Sequence, residues 1–401
     1  MDQAFDDVRV LDLSRWVAGD YCAKLLADLG ADVIKIEKPG EGALTRHQGP
    51  FPGDIPDPEK SALFLHLNTN KRSITLNLDS DSGRQILLDL AGTADVVIEA
   101  FRPGTMERLG LGWDDLSAVN PRLVLTRISN FGQTGPYQHY EATNLTLEAM
   151  GTAMHMSGLA DGLPLRRPGE LSQYSIGSTA AEATAAALLV SKLQGEGQVV
   201  DVAGFEALLT GFDRRIMTIL GERYVGEDPP RGKVGGALPV GAYPCADGYV
   251  MITILLPYVG ALVKLLDDPA LNDLLASDPR AIMSRPGEFN ELLVAALYPW
   301  FLARTKEEVM AAAQAGGVPV TAVYDVADLR SSEHFRGRGA FVTLDHPRAG
   351  TLEYLAPALR MDAGPSLRRA APLLGEHTAE VLGELGIGGG NLATLHKSGV
   401  I

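Results

Sequence analysis

Short apolar runs alternate with stretches of helical spacing through the first two hundred residues. The segment 8–13 (VRVLDL) is a strand pattern that ends at Ser14. Apolar Cys22, Leu25, Leu26 and Leu29 then recur at helical spacing, and Gly30 stops the pattern. Residues 33–37 (VIKIE) read as the next strand, closed by Pro39-Gly40. A strand, a crossover helix and a second strand predict a parallel pair in a doubly wound sheet. The alternation continues, with a strand at 73–78, a helix at 80–91 and strands at 94–98 and 123–128. An Ala-rich helix follows at 178–193, and then a strand at 198–202. Residues 40–62, rich in Gly, Pro and Asp, form a long loop; loops of that length are commonly functional or ordered by a partner.

The pattern changes near residue 222. GERYVGEDPPRGKVGG (221–236) has no apolar periodicity and reads as a linker. A hairpin around Ala246-Asp247-Gly248 comes next, then helical patterns at 258–267, 287–303 and 305–315 and a strand at 318–323. The remainder carries a hairpin around residues 346–350 and a helix at 378–385. The last sixteen residues, rich in Gly and Ser, read as a loose tail. The expected class is α/β: a large domain from 1–221 and 326–401, and a linker plus smaller α+β domain over 222–325.

Composition narrows the function. The chain has 401 residues, with 35 Lys+Arg against 50 Asp+Glu, a net charge of −15. Such a chain is a poor general binder of nucleic acid or anionic membranes, so an anionic ligand needs a local basic pocket. No apolar run is long enough to span a bilayer, and the acidic N-terminus lacks a signal-peptide pattern; a cytoplasmic protein is expected. The two cysteines, Cys22 and Cys245, make neither a disulfide framework nor a zinc site, and read as small buried apolar residues. No phosphate-binding GxxxxGK[ST], GxGxxG, HExxH or GxSxG motif is present, and the histidines have no metal spacing, so no metal is expected. Basic residues, by contrast, recur at strand ends and loops of the first domain: Lys38, Arg46, Lys71, Arg72 and Arg102. In doubly wound sheets ligands bind beyond the carboxyl ends of the strands. Cations there, in so acidic a chain, suggest an anionic ligand such as a phosphate.

Particular stretches carry a resemblance. They are VRVLDLSRWVAGDYCAKLLADLGADVIKIEKPGEGALTR (8–46), NTNKRSITLNL (68–78), DVVIEAFRPGTMERLGL (95–111), ISNFGQTGPY (128–137), GEGQVVDVAGFEALL (195–209), GGVPVTAVYDVADL (316–329), FVTLDHPRAGTL (341–352) and APLLGEHTAEVLGELG (371–386). Together they resemble the family III CoA-transferases, the CaiB/BaiF group. The resemblance implies a Rossmann-like large domain built from both ends of the chain, a smaller domain between, and two subunits interlocked like links. It implies CoA or an acyl-CoA as substrate, with no covalently bound cofactor, and a carboxylic acid as partner. Lys38, Arg46, Lys71, Arg72 and Arg102 match the family's CoA-contacting stretches, and Arg and Lys suit the charges of CoA.

The pattern breaks where family transferases carry a nucleophilic aspartate, which attacks the thioester to form an acyl-aspartyl anhydride. The matching position is Gln173, a neutral amide too weak for that attack. The glycine-aromatic-Asp near 142–144 is Ala142-Thr143-Asn144, which removes the bases that racemisation needs. Val17 stands where formyl-CoA transferase has a glutamine, and the usual Gly-Pro is Gly19-Asp20. Three readings follow. The first is a non-nucleophilic subunit of a CoA-transferase, moving CoA between a thioester such as succinyl-CoA and a carboxylic acid beside an Asp-bearing paralogue. The second is a homodimeric acyl-CoA transferase, isomerase or lyase using another carboxylate, such as Glu170. The third is a non-catalytic CoA-binding protein. Glu148, on an apolar helix pattern, is expected at the surface.

Overall fold

The computed structural model describes residues 3–151, 153–159, 161–210, 221–224, 226 and 238–401. Six short strands form its main sheet: β1 (Arg9–Asp12), β2 (Asp32–Glu37), β3 (Arg72–Thr75), β4 (Val96–Glu99), β5 (Val124–Ser129) and β6 (Gln198–Ala203). Their order is β3-β2-β1-β4-β5-β6 and all five pairings are parallel. This is the doubly wound, Rossmann-like order, in which the direction of winding reverses between β1 and β4. The α/β expectation is met.

Because side chains alternate across a strand, each strand feeds two cores. Val10, Val33, Val96 and Val124 are buried on one side. Their neighbours Leu11, Ile34, Val97 and Leu125 are buried on the other. Both faces of the sheet are therefore covered, which explains near-continuous apolar runs in place of a polar-apolar alternation. The covering helices are α1 (Val17–Asp28), α2 (Ala62–Leu67), α3 (Asp81–Ala91), α4 (Thr105–Arg108) and α5 (Trp113–Val119), followed by α6 (Asn144–Met150), α7 (Ala153–Met156), α8 (Leu171–Gln194) and α9 (Gly204–Thr210).

Two sequence expectations need correction. The Ala-rich helix begins at Leu171, seven residues before the expected start, so it includes Gln173. Its polar first turn hid it, yet Ser172, Gln173, Ile176 and Gly177 bury one face. The tail is not loose either. Gly390–Lys397 is helical, Leu392 and Leu395 pack on the core, and Val400 is buried with its carbonyl accepting from Asn77 N at 2.8 Å. The Gly and Ser content masked these apolar anchors.

The chain divides into two compact units, residues 1–231 with 338–401, and residues 232–337. In the first, the helix Thr378–Glu384 returns to the edge of the sheet: His377 N donates to Ser73 O at 2.8 Å, and Val381 and Leu382 join the second core. The second unit carries an antiparallel sheet of three strands, Val240–Cys245, Gly248–Thr253 and Val320–Ala322, covered by helices that include Val259–Leu266 and Pro286–Leu302.

Helices α1 and α8 pack closely at Gly177. A Cβ there would lie 2.5 Å from the Ala18 carbonyl oxygen and 3.2 Å from Tyr21. The side chains of Tyr21 and Tyr174 close the same contact edge to face, with ring centroids 4.8 Å apart. Gly177→Ala should therefore force the helices apart and cost about 1–3 kcal/mol, as overpacking does. The midpoint of urea unfolding, with an unchanged slope, measures it.

Candidate functional site

Beyond the carboxyl ends of β1, β4 and β5 lies a cavity of about 410 Å³. One wall is the first turn of α1, through Trp16, Ala18 and Gly19. The segment after β4, residues 100–103, forms another, and the end of β5 with residues 138–144 forms a third. Gln173 and Ile176 of α8 complete it. The site thus sits at the topological switch point, where doubly wound sheets bind ligands. Gly19 makes the corner possible, because a Cβ there would lie 2.2 Å from Ser14 Cβ.

Gln173 is 8% exposed. Its side-chain amide has no hydrogen-bond partner among the described residues, and it faces the cavity. Thr143 and Asn144 line the same cavity, so residues that the sequence separates from Gln173 by thirty positions meet in space. Thr143 caps α6 by accepting from Thr146 N, while Asn144 Oδ1 and Ser129 Oγ are buried without partners.

Glu170 lies one turn before Gln173, and its backbone carbonyl accepts from Gln173 N at 2.9 Å and Tyr174 N at 3.2 Å. On a helix three residues rise only about 4.5 Å, well short of the span an extended chain would give. The Glu170 carboxyl does not line the cavity. Its Oε2 is buried without a partner, and burial, assisted by Glu148, raises its pKa against the pull of Arg166. Glu148 is not at the surface as expected but 1% exposed. It accepts from Ser172 Oγ at 2.5 Å and from Arg167 N at 3.1 Å. The carboxylate's hydrogen bonds make that burial tolerable.

The five basic candidates separate into two groups. Lys38 is exposed, with Nζ 2.6 Å from Glu41, and lines a second cavity of about 210 Å³ together with Arg15 and Arg108. Leu13, Leu76 and Leu109 supply its apolar lining, and Phe101 lines both cavities. Arg102 stands at the first cavity, exposed, with its guanidinium 2.9 Å from Glu141. Arg46, Lys71 and Arg72 lie elsewhere, with their charges taken up by the chain's own carboxylates. Arg46 is fully buried, bonded to Glu37 at 2.7 and 2.8 Å and Glu59 at 2.8 Å, and stacked on Phe64. Burial alone would raise the Glu37 carboxyl, but Arg46 and Lys35 hold it below the usual carboxylate range. Arg46 also anchors the loop at 40–62 through Glu37, Glu59 and the Pro372 carbonyl. Lys71 donates to Asp12 at 2.9 Å, the Asp20 carbonyl at 2.8 Å and Asn68 at 2.9 Å. Arg72 spans Asp32 at 2.6 Å, Glu380 at 2.8 Å and Glu384 at 2.7 Å.

Sequence reading missed Lys35, which is fully buried and bonded to Asp20, to Asp12 at 3.3 Å and to the Ser14 carbonyl at 2.5 Å. It also missed Arg15 and Arg108. The available signal was the charged residues Asp12, Lys35 and Glu37 inside otherwise apolar strands, since buried charges come in compensating sets. Cys22 behaves as expected, a buried thiol whose pKa burial pushes up to about 12. Among the described residues no group of three or more His, Cys, Asp or Glu could hold a metal ion, and no helix is long and apolar enough to cross a membrane.

Comparison with known proteins bears on this site. The sequence pattern of CoA-transferase family III matches residues 5–378. The chain belongs to CoA-transferase family III. It is 33% identical to a formyl-CoA:oxalate CoA-transferase of Streptomyces coelicolor, covering 100% of this chain and 99% of that protein. It is 34% identical to a succinyl-CoA:mesaconate CoA-transferase of Haloarcula marismortui, over 96% of this chain and 97% of the other. Among solved structures, a CaiB/BaiF family protein from Brucella suis superposes with a TM-score of 0.81 at 29% identity, covering 96% of this chain and all of that one.

His66 adds a pH dependence beside the site. Its ring lies 6.4 Å from that of Tyr174, and burial, with Lys24, pushes its pKa down to about 4. The unfolded chain, with a histidine near 6.5, binds a proton that the folded chain refuses. Stability should therefore fall as pH drops from about 6.5 towards 4, and His66→Gln should flatten that window. Paired thermal melts across this range measure the difference.

Proposed function

We propose that this family III chain is the non-nucleophilic subunit of a CoA-transferase. It works beside an Asp-bearing paralogue, in an interlocked pair, to move CoA between a thioester such as succinyl-CoA and a carboxylic acid. The observation that carries the reading is Gln173 in the switch-point cavity, where its side chain is an amide. An acyl-aspartyl anhydride requires a carboxylate oxygen to attack the thioester carbonyl and the CoA thiolate to leave. An amide oxygen carries no charge to donate, and its nitrogen lone pair is delocalised, so that step has no nucleophile here. The names of the relatives, which pair formyl-CoA with oxalate and succinyl-CoA with mesaconate, support a thioester and a carboxylic acid as the substrate classes.

CoA would lie along the two adjoining cavities. Its phosphates would meet the exposed cations Lys38, Arg108 and Arg102 and the half-buried Arg15, and its thioester end would point towards Gln173. Arg46, Lys71 and Arg72 would support the site by holding its loops and strands. A second reading rests on Glu170, whose partnerless, proton-favouring carboxyl is one turn from Gln173. There the chain is a self-sufficient homodimer, and α8 must shift to bring that carboxyl into the cavity.

Assayed alone with succinyl-CoA and a panel of carboxylic acids, the chain should show little or no turnover. Robust turnover would overturn the subunit reading, and its loss in Glu170→Gln would establish the second. Gln173→Asp alone should not restore full activity, because residues 142–144 differ as well.

The basic residues should also separate by experiment. Lys38→Ala and Arg102→Ala should each weaken CoA binding by about 1–3 kcal/mol in calorimetry while leaving the melting temperature nearly unchanged. Arg72→Ala should instead destabilise the fold, by about 1–3 kcal/mol, because it removes the charge-assisted hydrogen bonds of a buried guanidinium to Asp32, Glu380 and Glu384.

A further inference from the structure

Behind the wall of the Gln173 cavity lies a buried carboxyl group to which no role has yet been assigned. Glu148 is 1% exposed and does not line the cavity. It sits on α6, whose N-cap Thr143 and first residue Asn144 do line it. Its carboxyl oxygens accept from Ser172 Oγ at 2.5 Å and from Arg167 N at 3.1 Å. The Arg167 guanidinium closes the set, standing 3.4 Å from the same carboxyl and donating to Ser172 Oγ at 3.2 Å. Ser172 is fully buried and directly precedes Gln173 in the first turn of α8. That turn has weak means of its own to stay in place, because its N-cap, Glu170, makes no side-chain capping bond. Uncapped first turns leave backbone donors unpaired and are where helices fray. A second bond from α6 reaches the same entry, from Asn144 Nδ2 to Gly169 O at 3.3 Å. The wall residues 143–144 and 173 are thereby tied to one another. Burying a carboxyl group is costly, and an apolar side chain would serve packing alone.

We infer that Glu148 is a positioning residue: through Ser172 it sets where the Gln173 side chain stands relative to Thr143 and Asn144, and so shapes the end of the cavity that receives the thioester. Ser172 and Gln173 are consecutive in one helical turn, so a shift of the first carries the second with it. Glu148 itself touches no ligand, and no covalent step involves it. The inference rests on the reading that the thioester end of CoA lies at Gln173.

The test compares two ligands that share everything but that end. Succinyl-CoA and free CoA are titrated into the full chain by calorimetry, and the ratio of their affinities reports the thioester end alone. A general weakening of the fold lowers both affinities together and leaves the ratio unchanged. The parent chain should prefer succinyl-CoA. Glu148→Ala should lower the ratio about tenfold, the effect of one buried hydrogen bond lost. Ser172→Ala should lower it too, and the double variant no further than the worse single, because members of one contact act as a unit. Glu148→Gln, which keeps an oxygen for Ser172 Oγ, should recover most of the ratio. Ser172→Ala carries the test should Glu148→Ala fail to fold. A parent chain that binds neither ligand would overturn the CoA-binding reading, and the inference with it. Binding of both with an unchanged ratio in the variants, additive losses in the double variant, or equal affinity of the parent for the two ligands would overturn the inference alone.

Discussion

Two lysines and two aspartates buried together beneath the switch point hold the rest of the site in place. Lys35 and Lys71 both reach Asp12, and Lys35 also meets Asp20. All four side chains are excluded from water. A single charge moved into such surroundings would be very costly, so each member depends on the others. Ser14, Thr45 and Asn68 supply the remaining hydrogen bonds. The cluster joins the end of β1, the middle of β2, the first turn of α1 and the segment entering β3. The backbone that forms the cavity wall is thereby set before any ligand arrives. Asp20 belongs to this network, bonded to Ser14, Lys35 and Thr45.

The second constraint is the contact between α1 and α8. Gly177 lets the two helices meet at backbone distance, and Gln173 sits one turn earlier on the same helix. Position 173 is therefore carried to the cavity by packing, whatever side chain it holds. Position 173 presents a neutral amide to the cavity, and the uncapped start of α1 faces the same space.

Much of this fold was legible in the chain. Alternating strand and helix patterns gave the parallel, doubly wound sheet, because burial on both faces demands apolar runs and crossover helices demand their own periodicity. The identity of position 173 was legible too, through the motifs that flank it. Other features were not. A lysine at a strand end looks the same whether its carboxylate partner is three residues away or about sixty, so Lys38 and Lys71 were indistinguishable until folded. Glu148 read as a surface residue because its partners, Ser172 and Arg167, are distant in sequence. The tail read as loose because glycines drew attention from Leu392, Leu395 and Val400.

The amino-acid sequence alone determined the class of fold, the family and that position 173 carries an amide, since these depend on local periodicity and residue identity. Tertiary structure alone decided which cations line the cavities and which are buried on carboxylates, that positions 129, 144 and 173 face one cavity, and that the start of α1 faces it too. The physical reason is that charge pairing and desolvation are set by distance in space, and neither can be read from order along the chain.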